Sequence, residues 1–268
     1  GTLGNLIGVL TSCQRGDEAI MGNLAHTALF EAGGISALGS VYAHTLVNRP
    51  DGTLDLDEVR AAIRGTDIHQ PISRLLILEN THNRCGGTVL SPDYLQAAGD
   101  LMHEKGLAFH IDGARIFNAA AVCGVPASRL AAPADTITFC LSKGLCAPVG
   151  SVLCGSRAAI EKARRLRKML GGGMRQAGIL AAAGIVALTE MTERLAEDHA
   201  RAKRLAVRLA EFAELELTYG LPASNLLFVQ LKDDYPQDAA AVAGRLAEKG
   251  VRIGVTSPRG FRLALHYW

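Results

Sequence analysis

Apolar runs that end in polar residues alternate with helix-like segments along the first part of the chain. Three such runs are "RLLILEN" (74–80), "LAFHIDGAR" (107–115) and "TITFCLSKG" (136–144). The segment between the first two, "LQAAGDLMHEKG" (95–106), has apolar residues at helical spacing and ends in glycine. Strands separated by helices and glycines are typical of βαβ units, so the sequence predicts a mostly parallel sheet.

Two helices with different hydrophobic patterns follow. The segment "AAIEKARRLRKML" (158–170) is amphipathic, and its basic residues are read as a solvated face. The glycines of "GGGMRQ" (171–176) break that helix. The next segment, "AGILAAAGIVALTEM" (177–191), predicts a helix of small apolar residues that we expect to be buried.

A charged amphipathic helix opens the last part of the chain, from about residue 191. The pattern after it reads strand, helix, strand and strand, which suits a small α+β domain. We therefore predict an α/β fold with a large domain over 1–190 and a small C-terminal domain over 191–268.

Polar residues follow each of the three predicted strands. They are Glu79 to Asn83, Asp112 to Arg115, and Ser142 with Lys143. Ligands of parallel α/β sheets bind beyond the carboxyl ends of the strands, so the three sets predict one site.

Composition and charge narrow the class of protein. Of the 268 residues, 49% are hydrophobic and 20% are charged, as in globular enzymes, and the net charge of +2 does not favour nucleic acid or membrane as a main partner. No apolar run reaches the length of a membrane span, and no signal peptide is recognised. The six cysteines lack metal-site spacing, which favours a cytoplasmic protein with reduced thiols and no metal site.

Lys143 is unusual because it lies in a segment that has no other charge. Burial could lower its pKa so that a neutral amine forms a Schiff base, whereas a lysine that extends to the surface is the simpler explanation. Asp112, at the end of the neighbouring strand, changes this balance. A lysine together with a carboxylate for a pyridinium nitrogen indicates pyridoxal phosphate chemistry, although Asp112 alone could be a turn residue.

The cofactor's phosphate group needs donors, and two glycine-rich segments offer them. Gly1 and Thr2 open a predicted helix in "GTLGN", and Arg175 lies in "GGGMRQ". Each signal is weak by itself, since an ordinary helix start and a surface arginine explain them equally well.

Two histidines are candidates for ring stacking and proton handling. His26 lies on a predicted short helix among small residues, and His82 follows a strand end. A structural role is the alternative for each of them. We assign no role to the histidines in polar or helix-surface contexts: His44, His69, His103 and His199.

Six short motifs occur in a fixed order: "GTLGN", "LAHTALFEAGG", "LENTHN", "HIDGARIFNA", "CLSKGLCAPVGS" and "RKMLGGGMRQ". As a set they resemble the L-threonine aldolases, which belong to the aspartate-aminotransferase-like group of pyridoxal phosphate enzymes (fold type I). The resemblance extends over nearly the whole chain.

The resemblance implies a role for each candidate residue. Lys143 would form the Schiff base, Asp112 would contact the ring nitrogen, and His26 would stack on the ring. His82 would contact the substrate hydroxyl or a water molecule. The remaining implied roles are phosphate binding by Gly1, Thr2 and a neighbouring subunit's Arg175, and carboxylate binding by Arg115 and Arg262, with Arg115 also near the ring hydroxyl.

The resemblance also implies an activity and an assembly. The reaction would be retro-aldol cleavage of L-threonine or L-allo-threonine to glycine and acetaldehyde. The assembly would be a homo-oligomer, a dimer of dimers, with its active sites at subunit interfaces.

Three features depart from the family pattern. The sequence begins at the phosphate segment, it ends shortly after Arg262, and Cys146 stands where glycine is usual. The expectation is that terminal parts of the family fold are missing. A catalytically impaired remnant and a pyridoxal phosphate β-eliminating lyase are therefore the alternatives, whereas an aldolase without a cofactor would leave Asp112 and the phosphate segment unexplained.

Overall fold

The computed structural model of the chain describes residues 1–267, which form two β-sheets and their flanking helices. The strands are β1 (Asp17–Gly22), β2 (Tyr42–Leu46), β3 (Ile72–Glu79), β4 (Ala108–Asp112), β5 (Thr136–Cys140), β6 (Ser151–Gly155), β7 (Leu215–Leu217), β8 (Leu226–Leu231), β9 (Gly254–Val255) and β10 (Gly260–Ala264). The helices are α1 (Thr2–Ser12), α2 (His26–Leu29), α3 (Gly34–Ala37), α4 (Leu56–Ala62), α5 (Pro92–Glu104), α6 (Ile116–Cys123), α7 (Ala127–Ala131), α8 (Arg157–Met169), α9 (Gly178–Thr189), α10 (Leu195–Leu209) and α11 (Ala239–Glu248).

The large sheet has the strand order β2-β1-β3-β4-β5-β6. Its first five strands are parallel, and β6 pairs antiparallel with β5 at one edge. Successive side chains of β3 enter two different cores: Leu75 and Ile77 pack on the α1 side, while Leu76 and Leu78 pack on the α5 and α6 side. This burial on both faces explains why β3 reads as a continuous apolar run.

Local sequence signals fix where several helices begin and end. The Ser91 hydroxyl caps α5 by accepting the Tyr94 N–H at 3.1 Å, and Pro92 follows it at the first helical position. Ser156 caps α8 in the same way. Helix α6 ends at Gly124, whose φ of +64° suits a glycine.

The second sheet is antiparallel and has the order β7-β8-β10-β9. Helix α10 packs against it through a small core that includes Ala206, Leu227 and Val229. The predicted α/β class with a mostly parallel sheet and a small α+β part is therefore confirmed. The division of the chain at residue 190 stays a prediction.

Two expectations about burial were wrong. Helix α9 is mostly exposed, with Ile179 at 86% and Ile185 at 62% exposure, because nothing within the described chain covers its apolar side chains. His199 is buried rather than on a helix surface, since α10 packs on α6 and its imidazole lies 3.0 Å from the Asn118 amide nitrogen.

Among residues 1–267, no helix has both the length and the apolar character required to cross a membrane.

Candidate active site

The carboxyl ends of β3, β4 and β5 lie side by side and carry the candidate residues. Glu79 and Asp112 are directly opposed in the pairing of β3 with β4. Lys143 follows the end of β5, the next strand in the sheet. The three polar sets recognised in the sequence thus converge at one edge of the sheet.

Asp112 is buried, and each of its carboxylate oxygens has a hydrogen-bond donor. Oδ1 accepts the backbone N–H of Ala114 at 3.1 Å, and Oδ2 accepts the side-chain amide of Asn5 at 2.9 Å. These two bonds fix the plane of the carboxylate at the end of β4.

His26 is held through both its backbone and its ring. Its backbone N–H donates to Glu79 Oε2 at 2.7 Å, and its Nδ1 lies 2.9 Å from Glu31 Oε1. The hydrogen bond to Glu31 raises the pKa of His26. Glu31 is buried, so it orients a ring that is itself only partly exposed.

Glu79 is a buried acid that receives two backbone N–H groups. One comes from His26 and the other from Asn83, which donates to Oε1 at 2.8 Å. Burial and the neighbouring Asp112 raise the pKa of Glu79 to about 7, against the lowering effect of the two hydrogen bonds. Glu79 therefore joins the segment of His26 to the segment of Asn83.

His82 lies almost completely buried in the loop after β3. Burial lowers the pKa of its imidazole to about 4, so the ring is neutral at pH 7. Neither ring nitrogen has a hydrogen-bond partner among the described residues. The ring therefore has unused hydrogen-bonding capacity at a place almost closed to solvent.

Lys143 and Arg115 line one cavity of about 340 Å³. The far wall comes from the small sheet and its continuation, with Asn225, Ala264 and His266. His266 was not recognised in the sequence, because nothing there placed the end of the chain near Lys143.

Arg115 and Arg262 lie close to each other, and the carboxyl groups of Glu79 and Asp112 also act on Arg115. Burial and the nearby Arg262 both lower the pKa of Arg115, and its Nε has no hydrogen-bond partner within residues 1–267. Arg262 donates to Asn83 Oδ1 at 2.9 Å. Two guanidinium groups that need an anion are a suitable place for a carboxylate.

Contacts with the loop after β3 hold the small sheet, and with it Arg262, beside Arg115. Ser224 donates to the carbonyl of Gly87, and Tyr219 donates to that of Arg84, both at 2.9 Å. An added Cβ at Gly86 would lie 2.6 Å from Tyr219, so the two segments touch closely. This contact docks the small sheet against the site.

The first turn of α1 lies beside the end of β5. A Cβ added at Gly1 would lie 3.5 Å from Cys140 Sγ. Gly1 and Thr2 are exposed, and no side chain caps the helix start, so its N–H groups can bind an anion. Arg175 is exposed between α8 and α9, where the structure records no contact between it and the other candidates.

His26, Glu31 and Asp112 also place three ligand atoms within 4.8 Å of one another. The Asn5 amide nitrogen donates to both carboxylates of this group. A donor group between the carboxylates opposes a cation there, so the cluster is better described as a hydrogen-bonded network.

Three supporting residues, Asn5, Glu31 and Glu79, had no role assigned from the sequence. Each lies inside or beside a motif that the sequence offers, "GTLGN", "LAHTALFEAGG" or "LENTHN". Their contacts join segments far apart in the chain, so the sequence alone does not show these contacts. The available signal was that each of the three is a polar residue inside a motif.

Comparison with known proteins identifies the family of the chain. A family model described as beta-eliminating lyase matches residues 1–232. The chain is 42% identical to low-specificity L-threonine aldolase 1 of Arabidopsis thaliana, over 100% of this chain and 75% of that protein. It is 45% identical to the low specificity L-threonine aldolase of Escherichia coli K12, over 96% of this chain and 74% of that protein.

Solved structures show the same fold at lower identity. A threonine aldolase from Leishmania major superposes with a TM-score of 0.81 at 21% identity, covering 99% of this chain and 77% of that one. A PLP-dependent aminotransferase from Streptococcus suis superposes with a TM-score of 0.73 at 18% identity, covering 99% and 70%. The family model and the two relatives together show that the chain belongs to the beta-eliminating lyase family, as a homologue of the low-specificity L-threonine aldolases.

Proposed function

We propose that this chain is a pyridoxal phosphate-dependent aldolase that cleaves L-threonine and L-allo-threonine to glycine and acetaldehyde. The observation that carries the proposal is the buried Asp112, fixed beside His26 at the strand edge where Lys143 also lies. The family depends on pyridoxal phosphate. The bound cofactor would supply a protonated pyridine ring that can take up the electrons of the Cα–Cβ bond.

The residues present fit that cofactor. Asp112 would hold the ring nitrogen, His26 would lie against the ring face, and Lys143 would supply the amine. The uncapped start of α1, with Gly1 and Thr2, offers N–H groups to the phosphate. No acidic residue lies in the first turn of α1, which also favours an anion there.

Arg115 and Arg262 would bind the substrate carboxylate. Two guanidinium groups define both the position and the rotation of a carboxylate, so the bond to be broken is held in one orientation. The hydrogen bond that Arg262 donates to Asn83 Oδ1 keeps Arg262 close to the site before the substrate arrives.

His82 would accept the proton of the substrate's β-hydroxyl group. Its ring is neutral at pH 7, and neither nitrogen has a hydrogen-bond partner among residues 1–267. The buried surroundings exclude water and strengthen the hydrogen bond.

One pair of measurements tests the proposal. Purified protein mixed with pyridoxal phosphate should show visible absorbance of bound cofactor, and Lys143→Ala should remove it. Threonine should then yield acetaldehyde, detected with a coupled alcohol dehydrogenase. Bound cofactor without aldehyde would favour an impaired relative, and absence of binding would contradict the proposal.

A β-eliminating lyase is the second candidate, because that description belongs to the matching family model. Elimination releases ammonia and a keto acid, whereas aldol cleavage releases glycine and an aldehyde. Product analysis with serine and threonine separates the two reactions.

We also propose that the chain acts as a homo-oligomer, a dimer of dimers, in which Arg175 of one subunit reaches the phosphate of another. Arg175 and the apolar side chains of the following helix α9 are exposed together. In a single chain this apolar surface would be exposed to water, whereas an interface between subunits would bury it.

The six cysteines, all within residues 1–267, are free thiols. This agrees with a cytoplasmic location, which we propose on that ground. Disulfide mapping of protein isolated without reductant would test it.

A further inference from the structure

Asn5 occupies a central position beneath the proposed cofactor site. It lies in the second turn of α1 and is 1% exposed. Its amide nitrogen donates to Glu31 Oε1 at 2.8 Å and to Asp112 Oδ2 at 2.9 Å. Its oxygen accepts from the Thr138 hydroxyl and lies 3.4 Å from His110 Nε2. The amide thus uses both of its N–H donors, and its oxygen accepts the hydrogen bond from Thr138.

Asn5 joins two groups that we propose to hold the cofactor. Glu31 Oε1, which it contacts, also lies 2.9 Å from His26 Nδ1. A continuous chain of hydrogen bonds therefore runs from His26 through Glu31 and Asn5 to Asp112. The two ends of this series of hydrogen bonds are His26, which we propose to lie against the ring face, and Asp112, which we propose to contact the ring nitrogen.

The surroundings determine the orientation of the amide. Turning it over would place its oxygen against two buried carboxylates and its NH₂ against the Thr138 hydroxyl. The observed orientation gives each carboxylate a donor without adding a charge between them. An apolar residue of the same size would leave both carboxylates without that donor.

We propose that Asn5 is a positioning residue that aims Asp112 at the ring nitrogen of the cofactor and ties it to Glu31 and His26. This role rests on the proposed dependence on pyridoxal phosphate. Asn5 acts through Asp112, so its effect must depend on whether the cofactor has a ring nitrogen.

The test compares pyridoxal phosphate with the analogue in which CH replaces the ring nitrogen. Kd values for both are measured with wild-type protein and with Asn5→Ala. The ratio of the analogue Kd to the cofactor Kd should fall on the order of tenfold in the variant, as expected when a charge-assisted contact is misaligned. A variant ratio equal to that of the wild type would overturn the proposal.

Val9→Ala is the matched control, because Val9 is a completely buried residue of the same helix that packs in the apolar core. It should weaken the fold and leave the ratio of Kd values at the wild-type value. A ratio that falls in Val9→Ala as far as in Asn5→Ala would assign the effect to general loosening of α1 and contradict the proposal.

Thr138→Val keeps the test available if Asn5→Ala does not fold. It removes the donor to the Asn5 oxygen, so the ratio should fall roughly threefold. Where Asn5→Ala does fold, the double variant should show the same ratio as Asn5→Ala alone. An unchanged ratio in Thr138→Val would count against the proposal. Wild-type protein that binds neither compound would refute both this inference and the proposed function, whereas normal binding with unchanged ratios refutes the inference alone.

Discussion

Cys146 holds a backbone conformation that suits glycine better than cysteine. Its φ is +59°, and its N–H closes a tight turn on the carbonyl of Lys143 at 2.9 Å. A Cβ in this left-handed region costs on the order of 1 kcal/mol. Glycine would hold this conformation without that cost, so the cysteine is tolerated at a cost in stability.

Replacing Cys146 by glycine should stabilise the protein. We expect Cys146→Gly to raise the free energy of unfolding by about 1 kcal/mol, measured by urea titration with an unchanged m-value. Cys146→Ala is the control, since it removes the thiol and keeps the Cβ. Equal stabilisation by both variants would show that the thiol, not the backbone, carries the cost.

The carboxyl group of Glu79 should make stability depend on pH. Its pKa of about 7 in the folded state lies above its ordinary value of 4.5. The folded protein therefore binds this proton more tightly than the unfolded chain. The contribution of this carboxyl group to stability is therefore largest below pH 4.5 and falls as pH rises through 7, by at most about 3 kcal/mol.

Glu79→Gln should remove that dependence. Glutamine does not titrate, but its NH₂ group cannot accept the backbone N–H that one of the two Glu79 oxygens accepts, so the variant should be less stable than the wild type near pH 4.5. Urea unfolding from pH 4.5 to 8 should then show wild type losing stability relative to the variant. A stability difference that stays constant with pH would mean that Glu79 does not titrate in this range.

The candidate residues with reactive or charged groups were recognisable in the sequence, and the residues that contact and orient them were not. Lys143 and Asp112 stand out because a charge interrupts or ends an apolar run. Asn5 and Glu31 have no such contrast, and their partners lie up to 133 residues away in the chain. Only the folded sheet brings those segments together.

At the scale of the elements, the fit between α1 and β4 is set by a glycine. A Cβ at Gly8 would lie 2.5 Å from Cε1 of the buried His110. This close approach brings α1 onto the sheet, where Asn5 reaches Asp112 and the helix start reaches the end of β5. The position of α1 on the sheet thus depends on the lack of a side chain at Gly8.

Gly8→Ala should therefore destabilise the protein, although alanine is the better helix former. The overlap with His110 should cost more than the helix propensity returns, giving a net loss of about 1–3 kcal/mol by urea unfolding. Gly244→Ala in α11 is the matched control, because open space surrounds that position, and it should gain up to about 1 kcal/mol. A gain in both variants would show that α1 can move aside at no cost.

The sequence predicted the strands that read as apolar runs and missed β1 and β2. The central strands β3, β4 and β5 read as apolar runs because both of their faces are covered. Strand β1 is equally buried but begins with Asp17 and Glu18, and β2 is an edge strand of five residues. Neither gives an apolar run long enough to stand out.

At the scale of the whole molecule, helix α9 shows the limit of reading burial from composition. Its apolar character on every side predicted a buried helix, yet Ile179 and Ile185 are exposed in the single chain. Hydrophobicity indicates that a surface avoids water, but not whether the same chain or another copy covers it. The proposed oligomer explains the composition and the exposure together.

The combined change Ile179→Glu and Ile185→Glu tests this interpretation. Charges on α9 should dissociate the oligomer, because each unpaired carboxylate would be buried in the interface. Analytical ultracentrifugation should then detect smaller species. The secondary structure measured by circular dichroism should stay unchanged, since neither side chain is buried in the single chain. Affinity for pyridoxal phosphate should fall with dissociation, because Arg175 of the neighbouring subunit would be lost from the site.

Ile68→Glu is the control for this last change. Ile68 is 93% exposed but lies in the loop between α4 and β3, apart in sequence from α9. It should leave both the sedimentation and the cofactor affinity as in the wild type. If the α9 variant dissociates and still binds the cofactor with full affinity, Arg175 has no role across the interface and the phosphate depends on the start of α1 alone. If the variant sediments like the wild type, α9 is not the contact between subunits.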